Sequence, residues 1–337
     1  MTIEDLLIVV LIGVLIFGLT SLIPRQPKSY PEIYNTMPSW GIEERPDGTL
    51  EEWIYFVSNR DTFRSSNTAE LYRVPPEEFA EEMVTRLTTD TFQDVYPSCS
   101  PDGRKLAYIS NRHGQSTGDL YIFDVYSKTH TRITYRPNGR NLHPCWVPVS
   151  DEAGNYDVLL SSDAYVKVLQ LYRIKVPTKT WTQLTYSQYP IFSPAVSPDG
   201  QHIAFTVDVS GDTDIYLMKI DGTEIQQITA HPGRDERPSW SPDGQWIAFQ
   251  TDRDGNWDIY IVNPWTREEK PLTRHTADDI WPTWRPKVHE DGKLSIAFQS
   301  MREGRWDIYV IYDVWGEIEP VTGEPSVKKV TGTKAGS

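Results

Sequence analysis

The most ligand-like stretch of the chain is Asp252-Arg-Asp-Gly-Asn-Trp-Asp258. Its closely spaced carboxylates resemble a calcium loop, in which oxygen donors from one short segment surround a hard cation. Two sister stretches argue for a turn instead. Asp208-Val-Ser-Gly-Asp-Thr-Asp214 and Met301-Arg-Glu-Gly-Arg-Trp-Asp307 keep the last Asp while the acidic spacing before it changes, as hairpin chemistry allows and a ligand set does not. No metal is assigned here. The seven His residues show no H-E-x-x-H spacing, no Cys-x-x-Cys-His haem site is present, and no G-x-S-x-G elbow occurs. The reading is therefore of a chain without a catalytic residue or a cofactor. Only Cys99 and Cys145 occur, either as a disulfide or, the preferred reading, as two small buried apolar residues.

A second constellation recurs. Three residues before each of six prolines stand Asn35, Asp94, Asn141, Ile191, Asp235 and Asp279, and two residues further on stand Met37, Tyr96, His143, Ser193, Arg237 and Trp281. Five of the first six are Asp or Asn, suited to a cationic or hydrogen-bond-donating segment, or to capping their own turns through backbone N–H groups. The second six mix aromatic, imidazole, hydroxyl and guanidinium chemistry.

The elements that position these residues are repeats. The tripeptide ending each unit appears as Glu70-Leu-Tyr72, Asp119-Leu-Tyr121, Gln170-Leu-Tyr172, Asp214-Ile-Tyr216, Asp258-Ile-Tyr260 and Asp307-Ile-Tyr309. A second marker follows at Leu87-Thr88, Ile133-Thr134, Leu184-Thr185, Ile228-Thr229, Leu272-Thr273 and Val321-Thr322, so both series give six units 44 to 51 residues apart. Each unit carries four short runs rich in β-branched or aromatic residues and bounded by Pro, Gly, Asp or Asn. That period with no helical pattern predicts an all-β, six-bladed β-propeller of four-stranded antiparallel blades.

At these residues the chain resembles the TolB-like propellers, whose repeat reads roughly P-x-W-S-P-D-G, I-A-F, R-x-G-x-x-D-I-Y, L-T. The resemblance covers about residues 37 to 322 and is strongest from Tyr96 to Thr134, Ser193 to Thr229 and Arg237 to Thr273. It implies that Pro-x-Trp opens the innermost strand. On that pattern Asn35, Asp94, Asn141, Asp235 and Asp279 ring one mouth of the central channel, with Tyr96, His143, Arg237 and Trp281 beside them as partner-binding residues. Family members use this mouth to grip a segment of a partner protein. Peptidases of the prolyl-oligopeptidase type join such a propeller to an α/β-hydrolase domain, which needs the absent elbow. Of the 12 Trp and 18 Tyr, those at repeat positions such as Trp240, Trp284, Tyr216, Tyr260 and Tyr309 read as core. Trp257, Trp265, Trp306 and Trp315 fall outside the tripeptides and form either a sticky rim or packing between blades.

At the N-terminus, Leu6 to Ile23 is a run of eighteen residues without a charge. At 1.5 Å per residue it covers roughly 27 Å, close to a hydrocarbon core of about 30 Å, and predicts one transmembrane α-helix. A cleaved signal peptide would have a basic leader, not Glu4 and Asp5. Gly13, Gly18 and Ser21 are small enough to let that helix pack closely on a partner helix. The expected domains are the anchor helix at 1–23, a Pro-rich linker at 24–36, the propeller at 37–325 and a C-terminal tail at 326–337. A net charge of −14, with 47 acidic against 33 basic residues, excludes a nucleic-acid platform. Arg25 and Lys28 follow the span, so the positive-inside rule places the propeller on the cytoplasmic side of a bacterial inner membrane, the periplasmic side being the alternative. The resulting expectation is a non-catalytic, membrane-anchored interaction subunit of an integral membrane complex, whose partners are membrane subunits and a peptide segment. The alternatives are a free-standing TolB-like protein-binding module and a small-molecule ester or lactone hydrolase using the tunnel.

Overall fold

The alternation Ile247-Ala-Phe249 explains how blades stack. Ile247 and Phe249 pack against the blade at 191–227 with Ala204 and Ile215, while Ala248 between them faces the blade at 279–329 with Ile296 and Phe298. A strand in the middle of a blade is covered on both faces by neighbouring blades, so its run is apolar throughout. The small residue faces one neighbour and the large ones the other. The same division holds for Leu106-Ala-Tyr108 and Ile296-Ala-Phe298. Six hydrophobic clusters result, one for each pair of adjacent blades.

The computed structural model describes residues 33–331 apart from 46, 62–67, 77–82, 114–117, 136–138 and 317–325. Among these residues the chain forms six four-stranded antiparallel sheets, each in simple sequence order, at 35–86, 94–132, 141–183, 191–227, 235–271 and 279–329. Every blade is built from contiguous chain. Side chains and one backbone bond close the ring between the last blade and the first. Asn35 N donates to Trp306 O at 2.8 Å, Asn35 Nδ2 to Asp307 Oδ1 at 2.7 Å, and Arg285 pairs with Glu52.

The Ser-Pro-Asp-Gly turns end the innermost strands through side-chain chemistry. In blade five Ser241 Oγ donates to Asp243 Oδ1 at 2.5 Å, Asp243 accepts from Gln245 N at 3.0 Å, and Gly244 takes φ +69°, which its missing Cβ permits.

The Leu-Thr marker also acquires a cause. In every blade the Thr hydroxyl accepts from the backbone N–H of the middle tripeptide residue, from Leu71 N to Thr88 at 3.0 Å round to Ile308 N to Thr331 at 2.7 Å. In five blades it also donates to the acidic residue that opens the tripeptide.

Two boundaries need correction. The sixth marker is Val330-Thr331, not Val321-Thr322, which lies outside the described residues. The outermost strand of blade six is Val327–Lys329, so the propeller extends past 325 into the stretch expected as a tail. It begins at Asn35, inside the stretch expected as linker. The expected membrane helix at 6–23, with Gly13, Gly18 and Ser21, lies outside the described residues. Among those described, no helix is long and apolar enough to cross a membrane.

Candidate functional site

Each innermost strand carries a β-bulge at the same place. Met37, Tyr96, His143, Ser193, Arg237 and Trp281 have φ between 53° and 61°, and each lies within a register shift between the innermost strand and the second. Non-glycine residues rarely adopt this left-handed conformation, least of all bulky ones, and a following proline disfavours it further. A bulge re-aims a side chain. Here it turns all six into the channel, where with the Pro-x residues after them they line a cavity of about 200 Å³. The conformation belongs to the repeat, since it holds whichever residue occupies the position. The side chains vary, as the wall of a binding site does.

Neighbouring blades hold the bulges in place. The N–H of Met37 donates to Gln299 Oε1 at 2.6 Å, that of Trp281 to Gln250 Oε1 at 3.0 Å, and that of Arg237 to Thr206 Oγ1 at 3.3 Å. These three supports escaped the sequence reading. The available signal was a polar residue directly after the buried aromatic of Ile-Ala-Phe.

Within the ring the aromatic groups form one cluster. Tyr96 stacks on Trp281 with centroids 5.7 Å apart, and His143 meets Tyr96 edge-on at 4.6 Å and Trp281 at 6.0 Å. The Arg237 guanidinium sits 3.6 Å from the Trp281 centroid, a close cation–π contact. Burial lowers the Arg237 pKa to about 10 against the opposing pull of Tyr96 and Glu236. Burial, and secondarily Arg237, holds His143 well below the usual imidazole value, so it is neutral. Its Nδ1 lies 3.3 Å from Ser193 Oγ, and its Nε2 is buried without a partner.

The Asp and Asn positions are placed differently from the expected mouth ring. Asn35, Asp94, Asn141, Asp235 and Asp279 are all at most 1% exposed. Four are clasped by an arginine from the turn between the second and third strands of their own blade. Arg60 reaches Asn35 at 2.7 Å, Arg112 spans both Asp94 oxygens at 3.2 and 3.0 Å, Arg253 spans those of Asp235 at 3.1 and 2.9 Å, and Arg302 reaches Asp279 at 2.6 Å. Each arginine also stacks over aromatic rings of its blade, as Arg253 does over Phe249 and Tyr260. These carboxylates face arginines of their own chain, and a partner's cation would have to displace them. Asn141 donates instead to Gly118 O at 3.0 Å.

The calcium-like loop is likewise spoken for. Asp252 accepts from Arg234 N at 2.7 Å and Arg234 Nε at 2.8 Å, Asp254 accepts from the Tyr260 hydroxyl, and Asp258 from Thr273. Glu70, Asp90 and Asp94 gather closely enough to hold a cation, yet Arg112 bridges the two aspartates and Arg86 pairs with Glu70. Cys99 and Cys145 are free thiols, and burial pushes Cys145 up to about 11. A second cavity of about 320 Å³ continues the channel on the side of Trp40, Trp146, Trp240 and Trp284. Trp240 and Trp284 are buried, whereas Trp265 and Trp315 are about half exposed and pack their rings against Trp240 and Trp246.

Blades three and four break the pattern, with Ala164 and Val209 where the others have arginine. Separately, among the described residues Asp214 in blade four has Gln227 and Thr229 as its hydrogen-bond partners, Gln227 standing where Arg86 and Arg132 pair with Glu70 and Asp119. Burial first, then Asp235 and Asp212, raises the Asp214 pKa to about 6. The unfolded value is about 3.9, so the folded state binds the extra proton, and this contribution to stability is present below the unfolded value and lost as pH rises through about 6. Asp214→Asn should therefore raise the urea midpoint at pH 7.5 relative to the parent, the gap closing by pH 4. A gap independent of pH would remove Asp214 as its source.

Comparison with known proteins agrees with this architecture. The family described as the TolB β-propeller domain (PD40) matches residues 182–333. An uncharacterized protein of Agrobacterium fabrum is 28% identical over 194 residues, covering 54% of this chain; the match spans 58% of that relative's length. Among solved structures, TolB of Acinetobacter baumannii superposes with a TM-score of 0.61 at 20% identity, covering 77% of this chain and 61% of that one. A TolB-type protein of Agrobacterium tumefaciens gives 0.59 at 19%, covering 73% and 83%. An oligogalacturonate lyase in complex with manganese gives 0.51 at 15%, covering 82% of each. At these identities the structural likeness concerns the fold. The chain forms a six-bladed β-propeller, of which residues 182–333 match the TolB β-propeller domain.

Proposed function

We propose that this chain is a non-catalytic protein-binding module that grips a segment of a partner in its central channel. The observation that carries the reading is the ring of six bulged residues, a constant backbone that presents six different side chains to one cavity. Strained residues held by surrounding structure cluster at binding and switch sites. The narrower expectation, a fixed subunit of an integral membrane complex, draws no support from the fold or the relatives, and the free-standing TolB-like module is the reading adopted. A bilayer anchor at 6–23 belongs to the proposal on its sequence alone. The cytoplasmic face rests on Arg25 and Lys28, the periplasmic face on the TolB resemblance, and protease added to sealed vesicles decides between them.

A hydrolase or lyase reading is weaker at this site. Ser193 and His143 form the one nucleophile–base contact in the ring, but at 3.3 Å it is long, and no carboxylate orients the imidazole through Nε2. The ring has one imidazole and no carboxylate, too few donors for the manganese named with the lyase neighbour.

The test uses a photo-crosslinking amino acid in the full chain in its native membrane. Placed at Ser193 it should give a discrete adduct that Trp281→Ala abolishes, whereas at Thr180, exposed on an outer strand, it should give none. Equal adducts from both positions, or none from Ser193, would overturn the reading.

A further inference from the structure

We infer that the cavity inside the bulge ring binds a carboxylate and that Arg237 is its anchor; this rests on the reading of that cavity as the ligand site. Arg60, Arg112, Arg253 and Arg302 are each clasped to Asn35, Asp94, Asp235 or Asp279. Arg237 is different. It makes no ion pair with a described carboxylate and faces the cavity beside Trp281 at 3.6 Å and Tyr96 at 5.9 Å. The adjacent Glu236 is directed elsewhere, to Thr213 at 3.4 Å and Gln250 at 3.3 Å. In a chain of net charge −14, the cavity wall thus carries one full charge, and it is positive.

A partly desolvated cation whose nearby carboxylate, Glu236, forms no ion pair with it is costly, and an anion entering the cavity offsets that cost. The planar guanidinium fork fits a carboxylate through two parallel N–H···O bonds, and stacking on an indole pre-organises it. His143 supplies a second contact. It is neutral, its Nε2 is buried without a partner, and Ser193 at Nδ1 can fix the tautomer that leaves Nε2–H to donate. A single cation with a neutral imidazole suits a singly charged carboxylate better than a doubly charged phosphate. About 200 Å³ admits the end or the side chain of a peptide, or a small free acid.

Calorimetry on the full chain in mild detergent tests this with four probes: acetate, N-acetyl-trialanine with a free carboxylate, its C-terminal amide, and inorganic phosphate. The acid should bind about tenfold or more tightly than the amide, as a lost charge-assisted pair of hydrogen bonds implies, and shift the His143 imidazole resonances. Arg237→Gln should abolish that preference and Arg237→Lys retain part of it. Acetate binding as tightly as the peptide acid identifies a small free acid as the source; tighter binding of the peptide identifies a chain terminus. Equal binding of acid and amide, phosphate outcompeting acetate, or no binding of either acid at ~10 mM, well above ordinary ligand affinities, overturns the inference. If Arg237→Gln fails to fold, the acid and amide on the unmodified chain still decide. A Ser193 crosslink that persists while acid and amide bind alike removes the carboxylate and leaves partner capture standing; loss of the Ser193 adduct removes partner capture itself.

Discussion

Replacing Arg253 with methionine is expected to cost the propeller about 3–5 kcal/mol at pH 7, because it leaves the carboxylate of Asp235 buried without its cation. Asp235 is fully buried and its partner's side chain only 6% exposed, so the pair is largely shielded from water. Thr251 remains as a hydrogen-bond donor, and stacking over Phe249 and Tyr260 is lost as well. The pH dependence identifies the cause. Burial already raises the Asp235 pKa, and removing Arg253 moves it further up. The deficit should be smallest below about pH 3, where the carboxyl is neutral in both states, and grow as pH rises through the folded value. The chain itself contains the compensating design, since blade four has Ile191 and Val209 where blade five has Asp235 and Arg253. The double variant Asp235→Ile, Arg253→Val should therefore regain at least half of the lost stability, as apolar replacements of buried pairs do. Urea midpoints of parent, single and double variants check this. A double variant as unstable as the single one would show that the clasp is needed for more than neutralising its own charge.

The same clasps mark the limit of what the sequence discloses. Blade number and strand count are legible because they rest on local periodicity: the tripeptides and the turn residues repeat at a readable spacing. The recurring Asp and Asn were visible too, but their role depends on an arginine 18 to 25 residues further along the chain. Only the folded hairpin brings the two together. Sequence spacing predicted a charged mouth, and the structure adds that four of these side chains are buried against an arginine of their own blade. The left-handed bulges were not legible at all. They fall on Met, Tyr, His, Ser, Arg and Trp, each before a proline, where local preference points to extended backbone. The positions themselves were found, because the ring follows the periodic Pro-x-Trp. Their orientation comes from tertiary hydrogen bonds such as Gln250 to Trp281, which no local pattern encodes.

Ending the chain after residue 325 should destabilise it by at least about 2.5 kcal/mol, although the period of the repeats suggests that the sixth blade is complete by then. The period misleads because Val321-Thr322 falls at the expected spacing, whereas blade six places its outer strand later, at Val327–Lys329. What fixes that strand is chemistry rather than spacing. Thr331 accepts from Ile308 N at 2.7 Å and donates to Asp307, Lys329 pairs with Asp307 at 2.8 Å, and Val330 is 1% exposed against Trp40, Phe56 and Ile308 of the first and last blades. Burying a valine is worth about 1.5–3 kcal/mol, and each buried polar group left unpaired costs about 1–3 kcal/mol. The truncation loses the first and creates one of the second, at Ile308 N–H, while Asp307 keeps Asn35 and Arg305 as partners. It also strips the Asp307-Ile-Tyr-Val-Ile311 strand of its neighbour at the junction where the ring closes, so blade one should loosen with blade six. Thr331→Val isolates one part, with an expected loss of about 1–3 kcal/mol and faster amide exchange at Ile308. A truncated chain with an unchanged urea midpoint would return the closing of blade six to residues before 326.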